Sequence, residues 1–209
     1  YNLAGTKPTI DGEPLYEDHP NCFNAKELGH SIPDDFRKLM YWDVFAGGFG
    51  QTYGCHTVWQ MYRNGRTPVN APLRPWDKAL DLPGANQMKH LKNLMLSRPF
   101  FARIPDQKMV VTAQTQVPDY TIATRSNDGS YAMIYFPTGK TAEVDLAALS
   151  GKKLNVWWYD PRTGFAYMEK NINKTGRQSF TPPTAGKGND WILVLDDAGK
   201  GFGKPGTVK

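Results

Sequence analysis

The chain has 209 residues, with 25 Lys and Arg against 20 Asp and Glu and a formal net charge of +5. The charges are scattered, with no run of Lys or Arg longer than two, which argues against the clustered basic stripe of a nucleic-acid binder. No apolar stretch approaches the length needed to cross a bilayer, and the chain is long enough for one large domain or two small ones.

Residues 7–17, KPTIDGEPLYE, read as a short buried strand ending in carboxylates: Pro8 suits a strand's first position, Thr9 and Ile10 favour extended backbone, and Asp11-Gly12 punctuates the end. Pro14 biases Glu13 toward extended backbone, so its side chain is held at the strand's C-terminal rim, where parallel α/β barrels carry their chemistry. DGEP is equally an ordinary polar turn, and by itself the tetrapeptide decides little.

Residues 18–31 are polar and irregular, which suits a long loop. Ser31 is a candidate cap for a helix that has Pro33 in its first turn, Asp34 and Asp35 at its positive end, and an apolar face of Phe36, Leu39, Met40, Trp42, Val44 and Phe45. Residues 49–62 are a second strand candidate, rich in Thr, Val and aromatics and interrupted by Gly50 and Gly54. Another helix is expected from near Gly84, with Met88, Leu91, Leu94 and Met95 on one face and Pro99 as its stop. Strand, loop, helix, strand is the order of a parallel sheet with covering helices.

From about residue 104 the pattern changes to short β-type runs separated by turn signals such as Asn127-Asp128-Gly129 and Asp160-Pro161-Arg162-Thr163-Gly164, which predicts an antiparallel β-sandwich. Alternation along Trp157-Trp158-Tyr159 puts at least one Trp in the core, and Arg162 is placed to pair with the first domain. The Gly- and Lys-rich end, 200–209, reads as a flexible tail. The expected fold class is therefore α/β plus all-β, with domains at 1–104 and 105–199.

Two strands and two helices cannot bury both faces of a parallel sheet. The missing strands are expected either from chain preceding Tyr1, which is not a Met, or from another polypeptide. Cys22 and Cys55 are too few for a disulfide framework and lack CxxC spacing, leaving either one bridge or two free buried thiols. No His pair has metal-ligand spacing, so neither metal nor cofactor is expected; His19 and His30 read as loop residues and His90 as a helix-surface residue.

The stretches DGEPLYE at 11–17, YWDVFAGGFGQTYGCHTVWQ at 41–60 and WDKALDLPGANQMKHLKNLMLSRPF at 76–100, with ATRSNDGSYAMIYFPTG and VWWYDPRTG further on, resemble the apiosidase-like glycoside hydrolases. In that family a (β/α)8 barrel precedes a small β-sandwich named for collagen binding. The resemblance implies that residues 1–104 are the last two strand–helix units of such a barrel. It implies a retaining glycosidase acting on plant or microbial polysaccharide or oligosaccharide, with Glu13 as nucleophile, Glu17 as its less favoured neighbour, and the acid/base carboxylate outside this chain. Trp59 would offer a flat face to a sugar, and His56, Gln60, Tyr16 and Glu17 would contact substrate. Partners would be the carbohydrate and the missing barrel portion, in a secreted or periplasmic setting. A non-catalytic module, binding carbohydrate or protein through the sandwich, is the alternative.

Overall fold

The computed structural model describes residues 7–114 and 118–208 and divides into two compact units. The first comprises residues 1–44 and 48–89, the second 45–47 and 90–209. The fold is mixed α/β with mostly antiparallel sheets. No helix among the described residues is long and apolar enough to cross a membrane.

In the first unit β1 (Ile10–Asp11) pairs in parallel with β2 (Gly50–Gln51), and the parallel register continues as a single bridge between Glu17 and Cys55. Between them lie the single turn α1 (Ala25–Leu28), capped by Asn24, and α2 (Pro33–Phe45). Proline at the first position of α2 costs nothing, because its missing N–H would have had no intrahelical partner. Ser31 does not cap this helix: its hydroxyl donates to the Tyr16 carbonyl at 2.5 Å and accepts from the His19 N–H at 3.1 Å. Asp35 closes the helix start instead, accepting from the Ile32 N–H at 3.1 Å.

The strand expected over 49–62 is much shorter. After β2 the chain passes Gly54, where a Cβ would lie 2.2 Å from the Tyr16 ring, and makes one helical turn, α3 (His56–Trp59). The expectation of a buried first strand also fails for its one large side chain, since Ile10 is 60% exposed in a sheet of only two strands. Helix α4 (Pro83–Leu96) follows, again with proline first.

The second unit is built on an antiparallel sheet of six strands in the order β3-β4-β5-β10-β7-β8. These are β3 (Arg103–Pro105), β4 (Ile122–Ser126), β5 (Tyr131–Phe136), β7 (Lys153–Tyr159), β8 (Ala166–Asn173) and β10 (Trp191–Asp197). A ribbon of β6 (Ala142–Asp145) and β9 (Arg177–Phe180) contributes Ala142, Val144 and Phe180 to the core formed with Ile134, Phe136, Val156, Trp158, Leu193 and Leu195. Strands β3 and β9 carried no β signal strong enough to predict. The run at 110–112 is only a single bridge, Val110 to Val144. Trp158 is the core tryptophan of its pair, edge-on to Phe136 at 5.5 Å.

The opposite face of the sheet takes polar anchors. Tyr159 donates to the His90 carbonyl at 2.7 Å, Tyr131 to that of Pro99 at 3.0 Å, and Arg98 grips Asp196 through Nε at 2.8 Å and an Nη at 2.7 Å. Arg162 pairs within its own unit, with Asp160 and with Asn189, and lies over the Trp191 ring. The expected loose tail folds back instead: Phe202 stacks under Arg98 at 4.9 Å and beside Tyr131 at 6.2 Å, and the Gly203 carbonyl accepts from Arg98. Lys209 lies outside the described residues.

Both members of the Arg98–Asp196 pair have 0% side-chain exposure. Removing one partner strands a buried charge, so Asp196→Ala is expected to cost the second unit about 3–5 kcal/mol, while Arg98→Met with Asp196→Leu together cost far less. Urea denaturation of the two variants checks the ordering.

Candidate active site

Glu13, Pro14, Leu15, Tyr16, His19, Cys22, Phe23, Trp59, Val69 and Asn70 line an open cleft of about 750 Å³ within the first unit. Glu13 is its carboxylate. The Glu13 N–H donates to Asp11 Oδ1 at 3.0 Å, a local turn that fixes where the side chain leaves the backbone, and the Tyr16 hydroxyl reaches Glu13 Oε1 at 3.4 Å. Burial, then the Glu13 charge, raise the Tyr16 pKa, so this phenol stays a donor.

Glu17 goes the other way. It is 1% exposed and accepts hydrogen bonds from the Tyr53 hydroxyl at 2.7 Å and the Gly84 N–H at 3.0 Å, at the positive end of α4. Burial outweighs those bonds and raises its pKa. The segment EPLYE thus sends its first carboxylate into the cleft and its second into the interior. The expected substrate contact by Glu17 is replaced by a structural one, because the helix start and Tyr53 occupy both oxygens.

His56 and Gln60 are likewise buried, at 0% and 8% exposure. His56 Nε2 lies 3.0 Å from the Val69 carbonyl and 2.9 Å from that of Asn70, so it must carry the proton. Nδ1 then accepts from Trp59 Nε1 at 3.3 Å. Desolvation lowers the pKa of this imidazole and keeps it neutral. Gln60 completes the clamp, accepting from the Val69 N–H at 3.0 Å and donating to the Val69 carbonyl at 3.1 Å. Both residues were expected to meet substrate; they hold the wall instead, and the wall residues Val69 and Asn70 meet the cleft. Trp59 is 52% exposed on the lining, with its indole N–H fixed by His56.

The remaining lining comes from a turn that sequence patterns treated as loop. Asp18, Cys22 and Phe23 have left-handed backbone, with φ of 60°, 50° and 59°, as do Met61, Asn70 and Ala71 at 47–49°. Such residues cost of order 1–3 kcal/mol each and cluster at functional sites. The turn is held by the Pro20–His30 bridge and by Asn21 donating to the Leu28 carbonyl at 3.0 Å, while Arg74 Nε reaches Asp18 at 2.8 Å. His19 donates from Nδ1 to the Pro20 carbonyl at 2.7 Å, which leaves Nε2 an acceptor. Both cysteines are free; Cys55 is buried as expected, but Cys22 is exposed at the cleft. Among the described residues no group of three or more His, Cys, Asp or Glu could hold a metal ion.

An open cleft with one oriented carboxylate, a hydroxyl donor to it and an exposed indole offers a ligand both polar partners and an apolar face. Residues 1–102 match the family model described as "Apiosidase-like, catalytic domain", and residues 104–196 match "Putative collagen-binding domain of a collagenase". Similar solved structures include one named "Glycoside hydrolase", 39% identical with a TM-score of 0.90, covering 96% of this chain and 45% of that one. Another is described as a glycoside hydrolase family 5 protein from Bacteroides vulgatus ATCC 8482, 36% identical with a TM-score of 0.90, covering 96% of this chain and 44% of that one. No curated protein matches. The chain resembles glycoside hydrolases along nearly its whole length, and it spans less than half the length of these solved relatives. Its first half, residues 1–102, is similar to apiosidase-like catalytic-domain sequence.

Two predictions test this framework. Gly84 has no room for a Cβ, which would meet the Phe36 ring at 2.0 Å and Glu17 Oε2 at 2.4 Å. Gly84→Ala, which in an open helix would stabilise, is therefore expected to destabilise by about 1–3 kcal/mol in urea denaturation. Asp43 is raised from 3.8 to about 6, by burial first and then by the Asp11 carboxylate. A raised folded pKa means stability that is present below the ordinary value and lost as pH rises through the folded one. Asp43→Asn should thus gain in unfolding midpoint relative to the native chain as pH rises from about 4 through about 6, and the gain should level off above that window.

Proposed function

We propose that the chain is the C-terminal part of a retaining glycoside hydrolase, in which residues 1–104 supply the last two strand–helix units of a (β/α)8 barrel and residues 105–199 form an accessory β-sandwich. Glu13 is the nucleophile. The observation that carries this reading is the opposite orientation of two carboxylates four residues apart: Glu13 opens into the cleft beside Trp59, and Glu17 is consumed by Tyr53 and Gly84.

In the first step a Glu13 oxygen attacks the anomeric carbon while the bond to the leaving oxygen breaks, and a second carboxylic acid gives that oxygen its proton. In the second step water attacks the same carbon, the second carboxylate takes the water's proton, and Glu13 leaves as a carboxylate. The Tyr16 hydroxyl holds Glu13 in place before attack and disperses its charge. Trp59 takes the apolar face of the sugar ring. The acid/base residue, about 5–5.5 Å from Glu13 in a retaining site, comes from the remainder of the barrel, the partner this chain requires. Exposed Ile10 and Phe49, beside the paired strands, give that remainder an apolar surface to cover. The substrate is a polysaccharide or oligosaccharide of plant or microbial origin, encountered outside the cytoplasm in a secreted or periplasmic setting.

Glu13→Gln in the enzyme that carries this chain is expected to lower turnover by orders of magnitude while leaving the unfolding midpoint unchanged, whereas Glu17→Gln should lower the midpoint. Assays on aryl glycosides with parallel thermal melts check both, and near-normal turnover by Glu13→Gln would remove the assignment.

A further inference from the structure

Phe23 is 73% exposed, is held in left-handed backbone next to another left-handed residue, and lines the same cleft as Glu13. It is also the free end of a row of rings. Phe23 meets His19 edge-on at 4.9 Å, His19 meets His56 at 4.7 Å, and His56 meets Trp59 at 5.9 Å. The inner two rings are fixed by carbonyl groups, His19 on Pro20 and His56 on Val69 and Asn70. The cleft therefore has two exposed aromatic faces, Trp59 and Phe23, separated by a rigid histidine pair whose His19 Nε2 can accept a hydroxyl proton.

A ligand that used Trp59 alone would leave Phe23 in water, on a turn whose backbone strain its own packing does not repay. Two faces joined by a polar step fit a glycoside with a ring on each side of the scissile oxygen. Taking Glu13 and Trp59 as the sugar-cleaving end, we infer that Phe23 and His19 form the leaving-group subsite, selecting glycosides whose aglycone presents an apolar ring face, either the C–H face of a second sugar or an aryl ring. This rests on the hydrolase reading above. Phe23 supplies area and His19 a hydrogen bond, so Phe23 sets specificity without taking part in bond cleavage.

The test is a titration of the enzyme that carries this chain with methyl glycosides, 4-nitrophenyl glycosides and disaccharides of glucose, galactose, xylose and arabinose, followed by the NMR shift of the Trp59 indole N–H. For at least one sugar, the ligand with a second ring is expected to bind about fivefold or more tightly than its methyl glycoside. Phe23→Ala should erase that ratio and leave methyl-glycoside affinity unchanged. Trp59→Ala, followed by calorimetry, should weaken every ligand. Response to disaccharides alone assigns the subsite to a sugar, and response to 4-nitrophenyl glycosides alone assigns it to an aryl group. Equal binding of one-ring and two-ring ligands, no binding by any of them, or a ratio that survives Phe23→Ala overturns the inference. The two readings fail separately: a normal turnover by Glu13→Gln with the Phe23-dependent ratio intact faults the nucleophile alone, and the reverse pattern faults the subsite alone.

Discussion

The arrangement of the first unit depends on a buried carboxylate. Glu17 brings together three separate parts of the chain: its backbone bridges to Cys55, and its side chain accepts from Tyr53 and from the start of α4 at Gly84. The geometry leaves no slack, since Gly84 has no space for even a methyl group against Phe36 and Glu17. A carboxylate desolvated to this degree is costly unless both oxygens are satisfied. The helix start satisfies it cheaply, because its first N–H groups have no partners within the helix. With Glu17 committed inward, Glu13 leaves the backbone at the Asp11 turn and faces the cleft.

The cleft wall is organised by the same economy. His56 is used up by two carbonyls and an indole, Gln60 by one residue's N–H and C=O, and they act on the cleft through Val69, Asn70 and Trp59. His30 holds the next residue, donating from Nε2 to the Ala71 carbonyl at 2.8 Å. The neutral, desolvated imidazole of His56 suits this work, since it presents one donor and one acceptor at fixed angles. The left-handed residues Asn70 and Ala71 are the product of that pinning.

Much of the fold was legible because its signals are local. Proline at the first position of α2 and α4, the continuous apolar runs of β5 and β10 and the partly alternating run of β7 are written into short windows of sequence. What was not legible depends on tertiary partners. Gly54 has no room for a side chain beside Tyr16, and Phe202 in the terminal segment packs on Arg98. For the site, the segment DGEPLYE located the carboxylates, and only three-dimensional structure separates their roles. Residue type suggested sugar contacts for His56 and Gln60, yet their polar atoms face backbone. His19 and Phe23 lay in a stretch with no periodic signal, and only the left-handed backbone of Phe23 and their shared cleft distinguish them.

The central claim is that one carboxylate of this chain bonds covalently to the sugar. Incubating the active enzyme that carries this chain with a 2-deoxy-2-fluoro glycosyl fluoride of its substrate sugar would release fluoride and leave a slowly hydrolysed glycosyl ester, which peptide mass spectrometry can locate. The account predicts the added sugar mass on Glu13. An ester on Glu17 or on any other residue, or full inactivation with Glu13 unmodified, would contradict it.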